Sequence, residues 1–194
     1  PYLPSWEYVP DGEPHVFGKR VYVYGSHDRF AGYAFCQNDY VCWSAPVDDL
    51  TDWQYEGIIY TRAEAAHNED GRQCLYAPDV TCGPDGRYYL YYALNETSAI
   101  SVAVCDTPAG KYTYYGDVHY PDGTTLGARP GDEQQFDPGV LTEVYPPFWV
   151  LYNNLPEPHM TRENKEVPAE PVKSRRRVIT SAVAVPPPLE DEDY

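Results

Sequence analysis

An aspartate recurs three times in this chain, each time about ten residues ahead of a Gly- or Pro-marked turn and an aromatic, β-rich run. Asp11 precedes Arg20-Val21-Tyr22-Val23-Tyr24, Asp79 precedes Arg87-Tyr88-Tyr89-Leu90-Tyr91-Tyr92, and Asp137 precedes Pro147-Phe148-Trp149-Val150-Leu151-Tyr152. Tyr22 and Tyr89 lie 67 positions apart, and Tyr89 and Trp149 lie 60 apart. A repeat of that length built from short strands and turns is the signature of propeller blades. The first strand of each blade lines the central axis, so acidic residues at equivalent places in successive blades converge on one end of the tunnel. Such a carboxylate cluster is the raw material of glycoside hydrolysis.

The expected fold is therefore all-β. Twenty Tyr, 14 Gly and 20 Pro in 194 residues fit strands with many tight turns and disfavour long helices. Residues 1–60 read as one blade, with strands around Pro14-His15-Val16-Phe17, Val21 to Tyr24, Tyr40 to Ser44 and Gly57 to Tyr60. A second blade starts at Leu75-Tyr76-Ala77-Pro78-Asp79-Val80, turns at Pro84-Asp85-Gly86, and continues through Tyr88 to Tyr92 and Ser101 to Cys105. A third begins at Gln135-Phe136-Asp137-Pro138-Gly139-Val140-Leu141.

After about residue 152 the pattern stops. The stretch 153–194 is rich in Pro and charge, with a basic Lys173-Ser174-Arg175-Arg176-Arg177 and an acidic Glu190-Asp191-Glu192-Asp193. The apolar run 178–185 does not repeat the blade template, and this composition predicts a poorly ordered tail. Two expected units follow: a partial propeller over 1–152 and a tail over 153–194. At roughly 63 residues per blade the chain supplies three blades at most, whereas a propeller closes with about four to eight. The expectation is a piece of a longer enzyme, or a frame change after the third blade begins.

The formal charge of −16 repels phosphate backbones and anionic membranes, which argues against nucleic acid and membrane partners and favours neutral ones such as sugars. The five cysteines are odd in number and contain no C-x-x-C pair. They read as reduced core thiols rather than a metal site, so no metal or cofactor is called for and a cytoplasmic location is expected. The chain opens on Pro1, which leaves a processed N-terminus and secretion open.

Four motifs in order carry a more specific resemblance. They are Pro10-Asp11-Gly12-Glu13-Pro14-His15-Val16-Phe17, Val21-Tyr22-Val23-Tyr24-Gly25-Ser26-His27-Asp28, Tyr76-Ala77-Pro78-Asp79-Val80 and Phe136-Asp137-Pro138-Gly139-Val140. Together, over roughly residues 1–145, they resemble glycoside hydrolase family 43. That resemblance implies a five-bladed β-propeller acting with inversion on arabinose- or xylose-containing saccharides, as an α-L-arabinofuranosidase or β-xylosidase. It also implies that Asp11 is the general base, with Glu13 the alternative because the motif reads Asp11-Gly12 where the family usually has Asp-Pro. Asp137 would take the place of the carboxylate that tunes the pKa of the general acid. Tyr76 stands where the family commonly has a tryptophan.

An inverting glycosidase holds its two carboxyls roughly 6.5–9.5 Å apart so that a water fits beside the base. A third carboxylate beside the acid raises its pKa by like-charge repulsion. Glu13, His27, Asp28, Phe30, Tyr76 and Asp79 are the candidate substrate-binding residues. Several have a plainer reading: His27 and Asp28 also fit bonding to loop backbone, Phe30, Trp43 and Tyr76 fit blade packing, Asp79 fits a blade-start or rim residue, and His15 fits a structural histidine. No glutamate beyond the third blade start has a matching context for the acid: Glu166, Glu170, Glu190 and Glu192 stand in none, and neither they nor Glu143 is assigned that role. The chain alone is thus expected to be inactive, the alternative being a non-catalytic carbohydrate-binding propeller piece.

Overall fold

A computed structural model describes residues 2–142, 149–153 and 178–179. The order is β1 (Glu13–Phe17), β2 (Arg20–Tyr24), β3 (Tyr40–Pro46), β4 (Gln54–Tyr60), β5 (Asp79–Cys82), β6 (Tyr88–Ala93), β7 (Ile100–Cys105), β8 (Thr113–Asp117), β9 (Pro138–Thr142), β10 (Trp149–Asn153) and β11 (Val178–Ile179). Among the described residues the one helical element is a 3-10 turn at Arg62–Glu64. None is a helix long and apolar enough to cross a membrane.

The strands form two four-stranded antiparallel sheets, β1-β2-β3-β4 and β5-β6-β7-β8, and a three-stranded sheet β11-β10-β9. Each four-stranded sheet is an up-and-down meander, so these are two propeller blades and the start of a third. The β1–β2 hairpin is closed by Gly18 and Lys19, with Phe17 opposite Arg20. Gly18 adopts the left-handed φ of 61° that such a tight connection demands. The first strands β1, β5 and β9 lie side by side, as inner strands around a common axis must.

Blade two is sandwiched. Leu90 and Tyr92 of β6 join Tyr24, Tyr40, Ile59 and Tyr60 of blade one in one core cluster. Tyr89, Tyr91 and Ala93, alternating with them, point into a second cluster against which Phe136, just ahead of the third sheet, and Val140 of β9 pack. Alternate residues of a strand face opposite sides, so a strand buried on both faces reads as an unbroken apolar run, as Tyr88 to Ala93 does. Blade one buries its other face under residues 2–10: Trp6 lies 6.3 Å from Trp43 and Tyr2 lies 5.2 Å from Trp53, centroid to centroid.

Four features depart from the sequence reading. Strand β4 starts at Gln54, ahead of Gly57. Strand β5 starts only at Asp79, with Leu75 making a single bridge to Leu94. Strand β8, Thr113-Tyr114-Tyr115-Gly116-Asp117, was not anticipated, because an edge strand with exposed residues carries no continuous apolar signal. Val178 and Ile179 pair with Tyr152 and Leu151, so part of the run 178–185 belongs to the third sheet. The rest of the stretch read as a tail, with Glu166, Glu170, Glu190 and Glu192, lies outside the described residues, as does Glu143.

Candidate active site

Each inner strand is entered through an aspartate, and the three aspartates differ in what surrounds them. Asp11, two residues ahead of β1, has φ 55°, and Asp137, directly ahead of β9, has φ 49°. Non-glycine residues are uncommon in this left-handed region and Asp is enriched there, at a cost on the order of 1 kcal/mol. Such local strain clusters at functional sites.

Asp11 is exposed, and its Oδ2 accepts a hydrogen bond from the Ser26 hydroxyl at 3.1 Å. Asp137 is half-buried. Burial pushes its carboxyl above the ordinary carboxylate range, and the negative charge of Asp11 pushes it further the same way. The two carboxylates therefore share one local field, although 126 positions separate them in sequence. Burial also raises the Tyr76 hydroxyl, with a smaller push from Asp137. Tyr40, fully buried on β3, donates its hydroxyl to the Tyr76 carbonyl and so ties blade one to the segment entering blade two.

The loop after β2 completes the arrangement. Asp28 Oδ1 accepts the Cys36 N–H at 2.7 Å, and Cys36 is itself left-handed with φ 56°. Burial pushes the Cys36 thiol up to about 11, with a hydrogen bond to Ser26 pulling it down and the charges of Asp28 and Asp11 adding to the rise. Ser26, Cys36 and Asp28 thus gather around Asp11. Ser26 and Cys36 escaped the sequence reading; the Gly25-Ser26-His27-Asp28 motif was a signal for Ser26, whereas nothing local marks Cys36.

The remaining sequence candidates lie as follows. Glu13 is exposed on β1 opposite Tyr24. Both ring nitrogens of His27 are taken by protein groups: Nδ1 by the Asp39 carbonyl at 2.8 Å and Nε2 by Glu7 Oε1 at 2.8 Å. Phe30 is 78 % exposed and stacked on Tyr8 at 6.0 Å, so packing inside the blade does not describe it, whereas Trp43 is buried. Tyr76 is half-buried against the second core cluster.

Asp79, a substrate-binding candidate in the sequence, has architectural surroundings. It is 4 % exposed. Its Oδ1 bonds His15 Nε2 at 2.6 Å and the Val80 N–H at 2.8 Å, and its Oδ2 accepts the Val140 N–H at 2.5 Å. One carboxylate thereby joins β1, β5 and β9. A buried carboxylate is tolerated only when its oxygens are satisfied in this way.

Comparison with known proteins agrees with this architecture. Over 143 residues the chain is 71% identical to a xylosidase/arabinosidase of Thermoclostridium stercorarium, covering 74% of this chain and 30% of that protein. A xylosidase/arabinosidase of Bacteroides ovatus is 36% identical over 125 residues, covering 57% of this chain and 36% of the relative. The chain thus spans about a third of the length of these curated relatives. Among solved structures, the GH43_1 enzyme of Xanthomonas citri complexed with xylose superposes with a TM-score of 0.60 at 25% identity, over 78% of this chain and 41% of that one. A β-xylosidase/α-arabinofuranosidase from a compost metagenome, in complex with xylotriose, gives 0.57 at 25% identity, over 78% and 44%. The model of glycosyl hydrolases family 43 matches residues 9–173, most of the sequence, and the chain belongs to that family.

Proposed function

We propose that this chain supplies the base-bearing part of an inverting glycosidase acting on arabinose- or xylose-containing saccharides, of the α-L-arabinofuranosidase or β-xylosidase kind. The observation that carries this reading is that Asp11 and Asp137 stand in matching left-handed turns at the entrances to the inner strands β1 and β9, the Asp11 charge adding to burial in raising the Asp137 carboxyl. The names of the family relatives support the sugar class. Asp11 is the general base: exposed and held by Ser26, it is open to a water that it activates for attack at the anomeric carbon. Asp137 acts through electrostatics, its charge disfavouring ionisation of the general acid. The acid itself comes from outside the described residues. The stacked pair Tyr8–Phe30 offers an exposed apolar face beside the Asp28 loop, suited to the C–H face of a neutral sugar. The five free thiols fit a reducing compartment such as the cytoplasm.

The test is release of nitrophenol from nitrophenyl arabinofuranoside and xyloside, with binding of the matching oligosaccharides followed in parallel. The full-length enzyme is expected to turn over at least one of the two, and the 194-residue chain neither. Binding without turnover by the full-length protein would replace this reading with a carbohydrate-binding one. Hydrolysis by the 194-residue chain would show that a carboxylate within it, such as Glu143 or Glu166, serves as the acid.

A further inference from the structure

Four consecutive residues after β2 meet the segment that leads to Asp11 (residues 7–11), each in a different way. Gly25 lets the backbones touch: a Cβ there would stand 2.6 Å from the Pro10 carbonyl oxygen and 2.7 Å from Val9 Cγ1. Ser26, buried, donates to Asp11 Oδ2. His27 bonds Glu7 through Nε2. Asp28 donates its N–H to the Tyr8 carbonyl at 2.9 Å. Gly25-Ser26-His27-Asp28 is thus a template along which residues 7–11 are laid, with Asp11 fixed at one end and Glu7 at the other.

The Glu7 end is the tighter anchor. The Glu7 side chain is 7% exposed and that of His27 16%. Glu7 Oε2 accepts the Trp43 indole N–H at 3.2 Å from β3, so both of its oxygens are engaged. His27 Nδ1 faces a carbonyl, which can only accept, so Nδ1 carries a hydrogen. The Nε2 bond to Glu7 then holds one further proton, whichever partner carries it. His27 is fixed in turn by the Asn38 N–H donating to its carbonyl at 3.0 Å. A buried carboxylate satisfied from a loop and a strand of the blade is a rigid point, and what it holds is the stretch ending in the base.

We propose that Glu7 and His27 are positioning residues for Asp11: their bond pins the arm to blade one and thereby sets where the base carboxylate stands, without touching the sugar. The assignment rests on Asp11 being the base. Misplacing a catalytic group by about 1 Å costs on the order of 10²-fold in rate, so loosening the arm acts on turnover rather than on substrate affinity.

The experiment uses the full-length enzyme and the nitrophenyl glycosides. Glu7→Ala and His27→Ala are expected to lower kcat by roughly 10- to 100-fold while KM stays within about threefold. Glu7→Gln should recover most of the loss, because its amide can donate to Nε2 and accept from Trp43. In an Asp11→Ala background, Glu7→Ala should cost nothing more, since no base remains to be placed. A loss confined to KM, a Glu7→Gln enzyme as poor as Glu7→Ala, or an undiminished loss on the Asp11→Ala background would each overturn the proposal. Should Glu7→Ala not fold, Ser26→Ala makes the same test from the other end of the template, with retention of full kcat as the refuting result. If the unsubstituted enzyme cleaves neither glycoside, the functional reading fails instead. The pinning of residues 7–11 is then decided by amide exchange at Asp28, which must quicken in Glu7→Ala if they are held as described; an unchanged rate overturns the proposal.

Discussion

Blade one and blade two share a four-stranded design but not an environment. Blade two is covered on both faces by neighbouring sheets, and its aspartate, Asp79, is consumed in joining three inner strands. Blade one has a sheet on one face and only the arm of residues 2–10 on the other, leaving Val16, Tyr55 and Ile58 well exposed. Its aspartate, Asp11, is free of the core and held by a single serine hydroxyl. The same local device, an aspartate at the mouth of an inner strand, is therefore locked into strand joining where both faces are buried and left open to solvent where one edge is open, as the proposed base requires.

The division can be broken most forcefully at Asp11. Asn keeps the shape and removes the proton acceptor, so Asp11→Asn in the full-length enzyme should lower turnover by about 10²- to 10⁴-fold, with an unchanged urea midpoint. Near-normal turnover there, with loss in Glu13→Gln, would move the base to Glu13. Blade two should respond the opposite way. Leu90→Ala, at a fully buried position, should cost about 2–5 kcal/mol of stability in chemical denaturation, while Ile58→Ala on the open side of blade one should stay within about 0.5 kcal/mol. Equal costs would show that the open face is covered in solution.

Asp79→Asn sharpens the contrast between the two aspartates. An asparagine can satisfy His15 through its oxygen, but its amide then opposes the Val140 N–H and leaves a donor unmet. The expected cost is about 1–3 kcal/mol of stability, with turnover in the folded fraction preserved. A turnover defect without a stability defect would return Asp79 to the substrate site.

The smallest effect is expected at Asp137, and it is read through pH. A carboxyl whose folded pKa is raised destabilises the fold when ionised. That penalty is absent below the ordinary value of 3.8 and complete once pH exceeds the raised value. Asp137→Asn should therefore stabilise slightly at neutral pH and lose this advantage as pH falls through that window. In the same variant the alkaline limb of the pH–rate profile should move to lower pH, because the general acid loses a neighbouring negative charge. A fixed limb would leave Asp137 as a turn residue only.

Much of this was legible in the chain itself. The near-constant spacing of aromatic runs marks the blades, because strand periodicity and turn residues act over a few positions and survive in any context. The aspartates at the entrances to β1, β5 and β9 were visible for the same reason. Strand β8 was not, since Thr113–Asp117 sits at a sheet edge, where Thr113 and Tyr114 are exposed and no continuous apolar run marks the strand. Phe30 reads as packing by composition, and only its position beyond the sheet shows it standing in solvent on Tyr8.

What the tertiary structure alone decided is what surrounds each aspartate. Asp79 is buried and engaged by His15 and by the Val140 N–H, 64 and 61 residues distant in sequence. The Asp137 carboxyl is raised by burial and by an Asp11 charge brought in from the other end of the described sheets. Glu7, unremarkable in the sequence, becomes a buried anchor because His27 and Trp43 converge on it from a loop and a strand. A carboxylate's role follows from its solvation and its neighbours, and those are set by strand pairing and blade packing across long separations, which no local window of sequence contains.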